Sequence, residues 1–270
     1  MRLSEAPLIT PLSTSLAALI PQLKAKLETT PTGLLDNPFP LLDFKIGYFC
    51  ESHLTYLLNE IFVDGAYWFE SGCPAPVIVD CGSNIGVSIL YFKALYPDAK
   101  VIGFEPDPTT FALLKDNIHR NMLQDVEIHN VALGAIDGDV DFFVSPSIKG
   151  SLLMSVHRER MPGTRINILS RRLSGFLPER VDLVKIDVEG SETEVLSELE
   201  HSGALARVRL IHLEYHHHIK PDDNSLSAVL SLFERNGFGY QLKAACEPGL
   251  TYPGTFQDIA IFAYKKAASI

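Results

Sequence analysis

A chain of 270 residues, 46% of them hydrophobic, is long enough for one large α/β domain with an N-terminal addition. Its formal net charge of −10 argues against a nucleic-acid surface, which relies on clustered Lys and Arg. No apolar run approaches a membrane span and no basic-then-apolar leader opens the chain, so a soluble, unprocessed protein is expected. Cys50, Cys73, Cys81 and Cys246 lack C-x-x-C spacing, which argues against a zinc site or disulfide framework and fits a reducing cytoplasm.

The first 40 residues hold Pro7, Pro11, Pro21, Pro31, Pro38 and Pro40, which cut the segment into short pieces. One amphipathic helix is predicted from Leu12 to Leu27, bent at Pro21. Residues 1–56 are accordingly read as a helical extension, either packed on the domain or serving as a lid or dimer contact, and residues 57–270 as the catalytic domain. The oligomeric state is left open, with a homodimer among the options. Leu54, Leu57, Leu58, Ile61 and Phe62 share one helical face that leads into the core.

Val77-Ile78-Val79 is a run of strand formers that stops at Asp80-Cys81-Gly82-Ser83-Asn84-Ile85-Gly86. Val87 to Tyr96 has helical spacing, and Val101 to Phe104 is a second strand ended by Glu105-Pro106. Glycines at such a turn allow tight backbone bends and close approach to a ligand, and the helix behind them offers free N–H groups. The spacing is G-x-x-x-G, whereas a pyrophosphate-binding dinucleotide site needs G-x-G-x-x-G. Glu105 stands where the ribose-binding acid of a βαβ unit belongs, about 20 residues past the turn. Asp80 adds a negative charge that repels phosphate and favours an ammonium or sulfonium group. A nucleoside with an amino acid and a positive sulfur is S-adenosylmethionine.

Pro108 to Asn121 reads as a helix, Val126 to Leu133 as a third strand and Val140 to Val144 as a further one after the Asp137-Gly138 turn. Ser145 to Arg165 has no period and is the expected substrate-facing loop. Val181 to Val188 and Val208 to Tyr215 are the next parallel strands, with a helix from Ser191 to Leu199 between them. A helix from Leu226 to Asn236 and strands Phe238 to Ala244 and Phe256 to Tyr264 close the chain. Strands alternating with helices imply a doubly wound sheet.

Two of these strands alternate apolar and charged residues. Lys185, Asp187 and Glu189 form one polar row, and His212, Glu214 and His216 another, because side chains two apart share a face. A strand covered on both faces is almost continuously apolar, so this face is wet or paired. One reading is an ion-pair cluster such as Lys185 with Asp187. The other is the floor of a reaction site at the C-terminal ends of the strands, where open α/β sheets bind ligands. Asp187, Glu214 and His216 also have donors that suit a divalent ion, but no metal is assigned.

The turn DCGSNIG, the strand end GFEPD, the segments NVALG (130–134) and KIDVEG (185–190), with EIFVDGAYWF (60–69) and LIHLEYH (210–216), resemble the FkbM-type methyltransferases over about residues 57–264. The resemblance implies a Rossmann-like, mostly parallel seven-stranded sheet of the class I methyltransferase type, finished by an antiparallel hairpin. It implies that Asp80, Gly82, Asn84 and Gly86 wrap the methionine part of S-adenosylmethionine, that Glu105 binds the ribose and that Pro106 walls the adenine. Asn130 and Ala132 match the position that holds the adenine edge. The expected reaction is O-methylation of a hydroxyl on a sugar, lipid or secondary metabolite, a small-molecule or glycan acceptor, with Asp187, Glu214 and His216 as candidates for base and positioning roles. A nicotinamide-dependent oxidoreductase and a non-catalytic nucleoside-binding module are the alternatives.

Overall fold

A computed structural model describes residues 14–30, 33, 35–219, 226–244 and 257–266. Leu12, Pro7, Pro11, Pro31 and Cys246 lie outside these. The chain opens with α1 (Thr14–Thr29), a small hairpin of β1 (Phe39–Leu41) and β2 (Phe44–Ile46), and α2 (Glu51–Leu58), which runs on into a π-helical turn at Asn59–Val63. The boundary expected at residue 56 therefore falls inside a continuous helix.

The core follows as β3 (Val77–Cys81), α3 (Val87–Leu95), β4 (Lys100–Phe104), α4 (Pro108–Arg120) and β5 (Val126–His129). Asp107 caps α4 by accepting from Thr110 N at 2.8 Å, with Pro108 in the first turn, where its missing N–H costs nothing. The expected strand from Val126 to Leu133 is broken in two. After β5 the chain leaves the main sheet, and β6 (Ala132–Leu133) pairs with β8 (Thr164–Arg171), which pairs with β7 (Gly138–Val144). This three-stranded sheet and the strand at 164–171 are additions to the expected architecture.

The second half supplies β9 (Val181–Ile186), α5 (Glu192–His201), β10 (Val208–His217), α6 (Leu226–Arg235), β11 (Phe238–Ala244) and β12 (Gln257–Lys265). The main sheet has seven strands in the order β11-β12-β10-β9-β3-β4-β5. From β10 to β5 neighbours are parallel, while β12 pairs antiparallel with both β10 and β11, giving the expected hairpin.

Alternation along the strands divides the core between the two faces. Val79, Cys81, Val184, Ile186, Ile211 and Leu213 face a cluster that includes Val195, Leu199 and Phe233 of α5 and α6. Ile78, Val101, Leu183 and Leu210 face the other, with residues of α2, α3 and the N-terminal hairpin. β3 sits between β4 and β9, at the point where the strand order reverses, which in open α/β sheets leaves a crevice at the carboxyl ends of the strands.

Candidate active site

A cavity of about 480 Å³ lies at this crevice. One end is lined by the turn after β3 (Gly82, Ser83, Asn84), by Phe104, Glu105 and Pro106 at the end of β4, and by Val131, Ala132 and Leu133. The other is lined by Lys185, Asp187 and Glu189 after β9, by Glu214 and His216 of β10, and by Asp258 of β12. Tyr56 and Glu60 enter from the N-terminal helices, and Ser151, Leu152, Leu153, Met154, Val156 and Arg160 of the 145–165 segment close the wall. That segment is thus cavity-facing, as its lack of period suggested.

Glu105 is buried, and its two oxygens accept from the backbone N–H groups of Asn84 (3.0 Å) and Asp107 (2.9 Å). Burial pushes its carboxyl up to about 8, because a carboxylate loses hydration there that two amides replace only in part. Asn84 has φ 46°, a left-handed conformation that Asn tolerates better than most residues, and it turns the amide towards Glu105. The turn is folded against this acid.

Three expected cofactor contacts are placed elsewhere. Asp80 is fully buried: Oδ2 accepts from Ser88 Oγ at 2.6 Å and Oδ1 faces Lys185 Nζ at 3.3 Å. It sits below the cavity floor and anchors residues that reach it. Asn130 spends its amide nitrogen on the carbonyls of Glu105 (2.8 Å) and Pro106 (3.0 Å), stapling the strand end instead of facing the cavity. Gly86 starts α3 with φ 94°, and a Cβ there would meet Leu114 Cδ1 at 2.8 Å, in the core. Gly82 does line the cavity, yet its Cβ would strike the Asp187 carbonyl at 1.9 Å. Both glycines are required by backbone conformation and packing.

The polar row joins the two readings made from sequence. Lys185, buried, lies 3.3 Å from Asp80 Oδ1 and 3.2 Å from Asp187 Oδ2, and donates to Gly82 O at 2.6 Å. Burial acts to neutralise the ammonium, but Asp187 and Asp80 outweigh it and hold the pKa above its ordinary value. The ion pair exists, and it forms the cavity floor. His212, by contrast, packs edge-on against Phe262, and burial lowers its pKa to about 4.

His216 does not have the character of a base. Its ring is buried; Nδ1 is 2.9 Å from Glu192 Oε1, and Nε2 is 3.3 Å from Glu189 Oε2 and 3.9 Å from Asp187 Oδ1. Burial disfavours the imidazolium, but Glu192, Glu189 and Asp187 together overcome it and raise the pKa well above 6.5. A ring already carrying its proton cannot accept another. Glu214 is pushed up to about 9 by burial and by Asp187 and Glu60 nearby, so it too holds a proton near neutrality. Glu60, on the π-helical turn, rises to about 7 through burial and Asp187, which poises it for proton transfer. Nothing in the sequence local to that helix shows that Glu60 faces Asp187 and Lys185.

The family model for the methyltransferase FkbM domain matches residues 80–240. Methyltransferase 1 of Beauveria bassiana is 32% identical over 168 residues, covering 54% of this chain and 68% of that protein. The 2-O-methyltransferase NoeI of Sinorhizobium fredii is 30% identical over 160 residues, or 53% of this chain and 64% of its own length. A crystal structure of methyltransferase FkbM from Methylobacillus flagellatus KT aligns over 92% of this chain and 60% of its own, with 15% identity and a TM-score of 0.49.

Proposed function

The chain belongs to the FkbM methyltransferase family, and from that premise we propose that it transfers a methyl group from S-adenosylmethionine to a hydroxyl of a small molecule or sugar. The observation that carries the reading is one cavity with two chemically distinct ends. At one end a buried acid, Glu105, stands beside Pro106, Phe104, Val131 and Leu133, a set suited to a ribose diol and an adenine. At the other, Glu60, Asp187 and Glu214 surround the space left for an acceptor. The donor set fits the nucleoside, and the G-x-x-x-G turn speaks against a nicotinamide dinucleotide.

S-adenosylmethionine, when bound, supplies an electrophilic methyl group. The protein's share is alignment and proton handling. Lys185 and Asp187 fix the floor on which the acceptor oxygen rests, and Glu60 takes the hydroxyl proton as the oxygen–carbon bond forms and the carbon–sulfur bond breaks. NoeI is a 2-O-methyltransferase and AglP of Haloferax volcanii a hexuronic acid methyltransferase, which supports a sugar hydroxyl as the first acceptor to try.

Calorimetry with S-adenosylhomocysteine tests the cofactor end. Measured above pH 8, where the carboxylate form of Glu105 prevails, Glu105→Ala forfeits hydrogen bonds to a charged group, worth about 1.5–3 kcal/mol, and should weaken binding about 10- to 100-fold. Glu60→Gln should leave that affinity unchanged while lowering turnover about 100-fold or more. Unchanged affinity in Glu105→Ala would remove that acid from the cofactor end, and full turnover in Glu60→Gln would remove Glu60 as the base.

A further inference from the structure

His216 has the surroundings of a metal ligand. Its Nδ1 is fixed by Glu192 Oε1 at 2.9 Å, and that same oxygen accepts from the backbone N–H groups of Val188 (3.2 Å) and Gly190 (2.9 Å). A carboxylate locked by the backbone and bonded to one imidazole nitrogen sets the orientation of the other, the arrangement found behind histidines that ligate metals. Nε2 then points at Glu189 Oε2 (3.3 Å), an oxygen that also accepts from Arg160 Nε at 2.6 Å, and at Asp187 Oδ1 (3.9 Å) and Asp258 Oδ1 (3.9 Å).

These separations suit a shared ion. Two ligand atoms each about 2.1 Å from a cation lie about 3.0 Å apart at a right angle, about 3.4 Å apart at the tetrahedral angle and about 4.2 Å apart across the ion. The ligand atoms of Asp187, Glu189 and His216 lie within 4.8 Å of one another, as do those of Glu214, His216 and Asp258. Both groups meet at the same imidazole, on the cavity wall. The carboxylates come from three separate stretches of chain, the end of β9, β10 and β12, so no local turn accounts for their convergence.

We propose that the acceptor end of the cavity binds one divalent cation through His216 Nε2, the cation displacing the Nε2 proton to solvent, with oxygen ligands drawn from Asp187, Glu189, Glu214 and Asp258. One imidazole with carboxylates is a donor set for a cation of the Mn²⁺ class, and it favours Mn²⁺ over Mg²⁺, which prefers oxygen and water. Seated there, the cation offers open positions to the oxygens of a hydroxyl-bearing acceptor and lowers the hydroxyl's proton affinity. That catalytic role rests on the methyl-transfer reading above, whereas occupancy of the site does not.

The test is Mn²⁺ titrated into the full chain after EDTA treatment and dialysis, followed by loss of the free-ion paramagnetic resonance signal, without cofactor or acceptor. One Mn²⁺ per chain should bind in the micromolar range, more tightly than Mg²⁺ does in competition. His216→Ala and Asp258→Asn should each weaken binding at least tenfold. Glu192→Gln, which would touch no ion but holds the imidazole and the backbone of residues 188–190, should weaken it about 10- to 100-fold. Asp258 is half-exposed, so its variant reports on the site even if the buried His216 substitution fails to fold. Absence of Mn²⁺ binding below millimolar concentration, or equal binding by wild type and Asp258→Asn, overturns the proposal, and normal S-adenosylhomocysteine binding in the same sample shows that the cofactor reading survives it.

Discussion

Glu105 shows how one buried carboxyl links stability, pH and binding. Its pKa is raised from 4.5 to about 8 by burial, so the folded chain holds the proton more tightly than the unfolded one. The stability this confers is full below pH 4.5 and is lost as pH rises through about 8. A ribose diol donates two hydrogen bonds and is held better by the carboxylate than by the acid. Affinity for 5′-methylthioadenosine, which has no group titrating in this range, should therefore rise up to about tenfold from pH 6 to about pH 9 and then level off. Glu105→Gln should bind weakly at every pH. Equal affinity for wild type at pH 6 and pH 9 would show that the carboxyl does not meet the diol. Sequence spacing put Glu105 at the strand end beside the turn, where the structure has it, because the distance from glycine turn to strand end is set within one βαβ unit. The protonation of His216 and Glu214 was beyond it, since each depends on charges brought together from residues 187–192 and 60.

The strand–turn–helix–strand unit from Val77 to Glu105 is the element most legible in the sequence, for its strand, turn and helix signals are all local. Less was legible where tertiary pairing decides. The alternation of exposed and buried residues along Thr164–Arg171 is that of a half-exposed strand, yet its polar content masked it, and the break between β5 and β6 arises because Asn130 ties back to Glu105 and Pro106. The glycine turn itself carries a prediction. Gly82 has φ 86° and no room before the Asp187 carbonyl, whereas Gly203 has φ 75° and nothing within 4 Å. An alanine at position 203 incurs only the left-handed strain, about 1–2 kcal/mol. At position 82 it must also push β3 from β9, so Gly82→Ala should cost about 4 kcal/mol or more, at the upper end for single substitutions. Urea unfolding of both variants measures the gap, and equal losses would mean that the strand ends yield.

At the scale of the whole molecule, the N-terminal segment is built into the fold. Leu23, Phe39, Leu41, Ile46, Leu54 and Leu58 are buried in the same cluster as Ile78, Val101, Leu183 and Leu210 of four central strands. Asn117 of α4 holds the segment by its polar side: Oδ1 accepts from Gly47 N at 2.7 Å, while Nδ2 donates to Gly47 O at 3.0 Å and to Ile85 O at 2.9 Å in the turn after β3. One buried amide thus joins the β1–β2 hairpin to the turn that lines the cavity, and Ser52, His53 and Tyr56 extend the wall from α2. A lid would open at little cost; this segment would expose a core in doing so. Phe39→Ala should therefore destabilise the entire chain by about 3–5 kcal/mol. The loss should appear equally in far-ultraviolet circular dichroism and in the fluorescence of Trp68, the single tryptophan, which lies beyond the segment. If instead the Trp68 transition stays where it is in wild type while an earlier transition splits off, residues 14–58 unfold on their own, as a lid would.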